Sequence, residues 1–289
     1  MRAVVEIKGG FGNQIFQYAF SNYLKECGYK VSVNLQESVK QNAVVSCSQF
    51  GFTESSKILV IFLRLLFRVE VSKNGKNIFS SLVKKYFSKH SNLVNFNENS
   101  KKYLYHFDGY WQDLEIFTKQ KDFIISCLSK SEILLNGINK PVTQGSTLLH
   151  VRRGDYKNVN EELNIKYYEE AINICSQKIE NFTFEVFTDD ISWVSKQKIF
   201  EGANAIHGPT NDLIVDISNM LNFENYIISN SSFSLVLASI SEKKTSTIIT
   251  PTPWMKHSRK ELNLKNNWIK IKNYSFTSNL SKLNLLQTY

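Results

Sequence analysis

Residues 150–156 read HVRRGDY and follow the apolar run Thr147-Leu148-Leu149. A histidine, two arginines and an aspartate thus crowd the end of a β-rich stretch. Charges there are costly to bury unless they are paired or meet a ligand. A guanidinium is a planar fork of donors that matches a diphosphate at two points. The carboxyl end of a parallel strand is also where open α/β sheets bind ligands. Arg152 therefore reads as a phosphate donor, against the alternative of an Arg–Asp pair holding the loop. Arg153, next along a strand end, should point to the opposite face and reads as the structural partner of Asp155.

Three more stretches carry chemistry. GGFGNQIFQYA at 9–19 is a Gly-rich turn between a strand and a helix. Such a turn brings backbone N–H groups and a helix N-terminus toward an anion, or is simply tight. Its spacing is neither GxGxxG nor a Walker loop, which excludes the common dinucleotide and P-loop readings. FTDDISW at 187–193 places Asp189 and Asp190 side by side after a strand. Paired acids can hold a metal, but acids in that position also cap helices, and a cap and loop-ordering role is the preferred reading. Residues 216–234 lead from Asp216 through an apolar run to Asn230-Ser231-Ser232-Phe233-Ser234. Its hydroxyls and N–H groups form a second anion cradle, where a cap alone would need one serine.

The elements that position these stretches follow from periodicity. AVVEI at 3–7 is a short strand, and residues 13–27 carry apolar side chains at Ile15, Phe16, Ala19, Phe20, Tyr23 and Leu24. That spacing predicts a helix, with Asn13 as its N-cap, followed by a strand from Lys30 to Val33. The second half repeats the alternation. Strands are expected at 146–151, 182–188, 225–229 and 246–250, and helices at 166–181, 212–224 and 233–240. Alternating β and α elements imply parallel sheets covered by helices. The fold class is α/β, in two domains. Residues 1–142 form the first, with a helical insertion, and 143–255 the second. Residues 256–289 are expected to pack back on the first.

Composition bounds the function. The chain has 289 residues, 42% hydrophobic and 21% charged, which is globular rather than disordered. A net charge of +9 draws anionic partners. No run of five Lys or Arg occurs, which weakens nucleic acid as a partner. Cys27, Cys47, Cys127 and Cys175 form no CxxC motif, so they read as reduced, buried thiols. The segment 58–71 is apolar but holds Arg64 and Arg68, and it is too short to span a bilayer. It reads as a helix buried on one side, or an interfacial one. The N-terminus does not resemble a signal peptide.

In this order and spacing, the four stretches, with GYWQ at 109–112, resemble the bacterial α-1,2-fucosyltransferases. The resemblance covers residues from about 4 to about 255. One departure is Leu235-Val236-Leu237-Ala238, where the family continues with a Trp-Trp-Gly-Ala run. The resemblance implies a GT-B-like architecture, with two Rossmann-type domains whose parallel sheets face across a cleft. It implies GDP-fucose as donor, no metal or other cofactor, and inverting transfer to the 2-hydroxyl of a terminal galactose on a bacterial surface glycan of O-antigen or lipopolysaccharide type. Carried over by position, His150 and Asp216 contact guanine. Arg152 grips the diphosphate with help from Asn13, Ser231 and Ser232. Asp155 is the expected base, with Glu161 or Glu162 as alternatives. Tyr110 and Trp111 stack on the acceptor sugar or pack in the core. A cytoplasmic enzyme that touches the inner membrane face peripherally, where lipid-linked acceptors are built, fits the charge. The rival readings are a transferase for another nucleotide sugar and a basic RNA- or membrane-binding module.

Overall fold

Two all-parallel sheets organise the chain, one in each of two units, Met1–Lys130 and Ser131–Tyr289. The computed structural model describes residues 2–35, 48–55, 104–221, 223–256 and 262–273. The apolar segment 58–71 and Cys47 lie outside the described residues.

In the first unit β1 (Arg2–Glu6) lies between β2 (Lys30–Asn34) and β3 (Leu104–Phe107). The crossover is α1 (Phe11–Glu26), which buries Ile15, Phe16, Ala19, Phe20 and Leu24. The predicted face is thus the buried one. The helix begins two residues earlier than expected, at a Gly10 cap that offers no side chain, so Asn13 is a helical residue and not the N-cap. After β3 come α2 (Leu114–Lys119) and α3 (Lys121–Leu128). Asp113 caps α2 by accepting from the N–H groups of Glu115 at 2.8 Å and Ile116 at 3.1 Å.

The second unit holds α4 (Glu132–Asn139), β4 (Ser146–Val151), α5 (Ile165–Lys178), β5 (Thr183–Thr188), α6 (Ile191–Val194), β6 (Ala205–His207), α7 (Leu213–Met220), β7 (Asn225–Ile227), α8 (Ser232–Ser241), β8 (Ile248–Thr252) and β9 (Ile269–Lys272). The strand order is β6-β5-β4-β7-β8-β9. The chain builds outward from β4 in one direction, then reverses and builds outward from β7 in the other. This is the doubly wound order, with its switch point between β4 and β7. Leu148, Leu149 and Val151 are fully buried, which explains the continuous apolar run of β4: helices cover both faces of a parallel sheet.

Two boundaries differ from the sequence reading. Residues 131–142 belong with the second unit, because α4 packs on α7. A β-carbon at Gly137 would stand 2.5 Å from Ser218 Oγ and 3.0 Å from its Cα, and only glycine allows that crossing. Ser218 Oγ in turn donates to the Ile133 carbonyl at 2.9 Å. The described part of the tail also joins the second unit rather than the first. There β9 pairs with β8, from Ile249–Ile269 through Thr252–Lys272. Sparse apolar residues hid this strand from the sequence reading. Among the described cysteines Cys127 and Cys175 are buried and Cys27 is exposed, all three as free thiols. No helix among the described residues is long and apolar enough to cross a membrane.

Candidate active site

The switch point places the end of β4 beside the end of β7, and side chains tie the two. His150 is 7% exposed, and its Nδ1 lies 2.8 Å from Ser229 Oγ, just past β7. Burial, reinforced by the Arg152 charge, pushes the imidazole pKa down to about 4, with Asp189 opposing. At neutral pH the ring is therefore uncharged, with one donor and one acceptor nitrogen. Two further ties cross the same place. Tyr156 donates its hydroxyl to the Asn230 carbonyl at 3.1 Å, and Asn230 Nδ2 donates to the Glu161 carbonyl at 2.8 Å.

Arg152 follows β4 and is gripped at both ends. Its Nη2 donates to Asp155 Oδ1 at 2.7 Å, and its Nη1 lies 3.0 Å from Asp189 Oδ2. Its Nε is buried without a partner. The other Asp189 oxygen accepts from the Arg153 N–H at 2.8 Å. A β-carbon at Gly154 would stand 2.7 Å from Asp189 Oδ2, so the turn closes around that carboxylate only because residue 154 is glycine.

The expected Arg153–Asp155 pair is not formed. Asp155 opens a short 3-10 helix, Asp155–Val159, and pairs with Arg152 three residues before it. Arg153 turns to the end of β5, where its Nε is 3.4 Å from Asp190 Oδ2 and its guanidinium lies 3.9 Å from the Trp193 ring centre. Lys157 joins the same carboxylate at 3.0 Å. Asp190 also caps α6, accepting from the Trp193 N–H at 3.2 Å. The Lys157 ammonium, ahead of the Ser192 hydroxyl and the Trp193 N–H, brings its carboxyl pKa down to about 2 against the effect of burial. Asp189 and Asp190 thus diverge, each toward its own cation. Among the described residues no group of three or more His, Cys, Asp or Glu side chains could hold a metal ion.

Ser231 caps α8, its Oγ accepting from the Phe233 N–H at 3.3 Å, and Ser232 is the first helical residue. Asp216 lies on α7, where both its oxygens accept from the Thr210 N–H at 3.0 and 3.1 Å, holding the loop that follows β6. Glu161 is buried, and its Oε2 accepts from the Lys256 N–H at 2.6 Å, which makes it a brace rather than a free base. One oxygen of Glu162 is buried without a partner.

In the first unit the equivalent place, the carboxyl end of β1 and β3, is tied by amides and by one ion pair, Lys8 with Asp108. Gln17 is fully buried. Its Oε1 accepts from the Lys8 N–H at 2.8 Å and its Nε2 donates to the Gly109 carbonyl at 3.0 Å. Gln14 Nε2 donates to the Gly9 carbonyl at 2.8 Å. Gln112 Nε2 donates to Asn13 Oδ1 at 2.8 Å, which turns the Asn13 amide nitrogen away from that bond. Trp111 stacks on Phe20 with ring centres 4.3 Å apart and meets Phe107 edge-on, so one of its faces belongs to the core. Tyr110 is 36% exposed, with the Lys8 ammonium 5.7 Å from its ring centre.

His150, near the end of β4, and Arg152, Asp155 and Ser231, on the loops after β4 and β7, thus meet at one switch point, Asp216 lies with the loop after β6, and Asn13, Tyr110 and Trp111 belong to the first unit. The sequence reading missed Ser229, Gln17 and Gln112 as positioning residues, whereas Asp189 orders the loop at Arg152 to Gly154 as its loop-ordering reading expected. The signal for Gln14 and Gln17 was present: glutamines on the apolar face of a helix need buried partners.

A family model described as Glycosyl transferase family 11 matches residues 3–272. That span extends past the expected end near residue 255 and takes in β9. An Escherichia coli alpha-1,2-colitosyltransferase is 31% identical over 290 residues, covering 90% of this chain and 94% of that protein. The O-antigen biosynthesis glycosyltransferase WbnK of Escherichia coli is 25% identical over 300 residues, covering 92% and 99%. Among solved structures, the fucosyltransferase NodZ from Bradyrhizobium aligns with a TM-score of 0.43 at 13% identity, covering 82% of this chain and 90% of that one. A match that loose decides nothing about the substrate.

Proposed function

Because the chain belongs to glycosyl transferase family 11, we propose that this glycosyltransferase moves fucose from GDP-fucose to the 2-hydroxyl of a terminal galactose. The acceptor is an O-antigen-type oligosaccharide, still lipid-linked at the cytoplasmic face of the membrane. The observation that carries the reading is Arg152 at the switch point, beside a neutral His150 and the N-terminus of α8. Arg152 and the first N–H groups of α8 present directed donors to a diphosphate, while the neutral His150 ring has one donor and one acceptor nitrogen to share between Ser229 and a guanine base.

In the proposed reaction the acceptor oxygen attacks C1 of the sugar from the face opposite the phosphate. The C1–O bond to the β-phosphate breaks, and its electron pair stays on GDP. The acceptor proton passes to the Asp155 carboxylate. Developing charge on the leaving diphosphate is met by Arg152, by the first N–H groups of α8 and by the Ser231 and Ser232 hydroxyls. A β-linked donor gives an α-linked product, so the transfer inverts. His150 and Asp216 are assigned to guanine, Asn13 to the phosphates and Tyr110 to the acceptor ring. Trp111 supports that loop through its stack on Phe20. No metal is assigned a role.

A second reading takes colitose instead of fucose, on the strength of the relative at 31% identity. The two sugars differ by the 3-hydroxyl, which colitose lacks. One experiment tests both. The protein is incubated with GDP-fucose, GDP-colitose and other nucleotide sugars against a panel of galactosides in EDTA, and product linkages are determined. Transfer only from a non-guanine donor would end both readings, and transfer that requires added manganese would end the metal-free mechanism.

A further inference from the structure

Arg152 is the only cation of its loop placed to meet a phosphate, yet it is already occupied. Arg153 and Lys157 both serve Asp190. Arg152 is held by Asp155 on one amino group and by Asp189 on the other. These two carboxylates are not equivalent. Asp189 is 17% exposed on its side chain, is fixed by the Arg153 N–H and lies against Gly154. Asp155 is 66% exposed, and among the described residues its carboxylate makes a single hydrogen bond, to Arg152.

We infer that Asp155 stands where a donor phosphate oxygen binds, and that the arriving diphosphate evicts Asp155 from Arg152 while Asp189 keeps the guanidinium in place. The inference rests on the reading of this site as one for a nucleoside diphosphate sugar. An added phosphate facing one arginine and two carboxylates would meet more negative than positive charge, and the looser carboxylate is the one that can leave. An exposed ion pair is weak enough to be exchanged. A charge-assisted fork on phosphate is stronger. The exchange has a consequence for the chemistry. Asp155 gives up its cation only when the donor is bound, and the oxygen that held Arg152 is then open to an acceptor hydroxyl. The base is thus freed by the donor, and the acceptor is deprotonated only after loading.

The test is calorimetric titration of the full-length protein with GDP and with inorganic pyrophosphate, for the wild type and for Asp155→Ala, Asp155→Asn and Asp189→Asn, with melting temperatures measured alongside. Removing an exposed competitor of this kind should tighten both ligands about two- to fivefold in the two Asp155 variants. The gain should shrink as salt is raised, and Asp189→Asn should show none. Unchanged or weaker binding in Asp155→Ala, with an unchanged melting temperature, would overturn the exchange. Equal tightening in Asp189→Asn would also overturn it, because simple loss of negative charge would then suffice. If the wild type binds neither GDP nor pyrophosphate, the functional reading itself falls, and the inference with it.

Discussion

At the carboxyl ends of β1 and β3 the first unit ties its two loops with the buried Gln17 amide and a single ion pair between Lys8 and Asp108. The second unit joins β4 to β7 through a buried imidazole and neutral hydrogen bonds, and adds a network of ion pairs between the loop after β4 and the end of β5. Both sheets put irregular backbone at the ends of their central strands, so both have polar groups there that need partners. The Gln17 amide meets that need for the Lys8 N–H and the Gly109 carbonyl, and the Lys8 and Asp108 charges offset one another one for one. The ion network around Arg152 meets it with charges that are only partly compensated and partly wet. Amides fix a shape; exchangeable ion pairs hold a place for another anion. The comparison therefore predicts that the same polar truncation costs stability in one unit and activity in the other.

The largest effect should come from the second unit. Arg152→Lys keeps the charge but loses the planar fork, and turnover with GDP-fucose should fall by about 10²–10³. Its melting temperature should stay close to that of the wild type. A large melting shift would make the arginine structural and erase the contrast. In the first unit, Gln17→Leu leaves the Lys8 N–H and the Gly109 carbonyl buried without their partner. It should cost about 2–4 kcal/mol in urea unfolding, while the surviving folded enzyme keeps most of its turnover.

Acid should sharpen the contrast further. The folded His150 takes up a proton only near pH 4, whereas an unfolded histidine does so near pH 6.5. Between those values the unfolded chain binds the extra proton. Stability therefore falls as pH is lowered through this window, by up to about 3 kcal/mol at its lower end. His150→Gln should flatten that part of the pH–stability profile, and an unchanged slope would mean that His150 is not the group responsible. The smallest effect is expected for Arg153→Lys. The substitution weakens the stack on Trp193 and the pair with Asp190, for about 0.5–1 kcal/mol. Turnover should remain within about twofold of wild type, since this part-buried pair orders the loop and no donor contact is assigned to it.

Period and turn chemistry made much of the second sheet legible. The strand expected at 146–151 is β4 as observed, and the helix expected at 166–181 is α5 shortened at its end. These elements are long, periodic and buried on a defined face. The strands β3, β6 and β9 and the helices α2 to α4 and α6 were not read, because they are short or carry few apolar residues. Of the site, the arginine-bearing loop was legible because charge at the end of an apolar strand stands out. The partnership within it was not. Adjacent arginines were expected to divide by strand alternation, but the chain leaves the strand at Arg152 and a 3-10 turn decides which carboxylate meets which cation. Asp189 and Ser229 come from other strands, and a linear reading cannot show that their ends converge.

The outermost strand of the second sheet, β9, reads Ile-Lys-Ile-Lys, with Ile271 buried and both lysines exposed. It covers the rim of β8 from Ile249 to Thr252, which would otherwise offer unpaired backbone to any passing extended chain. Its own outer rim is guarded by the two ammonium groups, which disfavour a further strand docking edge to edge. Residues 269–272 are therefore expected to keep the sheet edge from pairing with other chains, and shortening the chain before them should give a protein that aggregates on expression even though no residue of the candidate site has been touched.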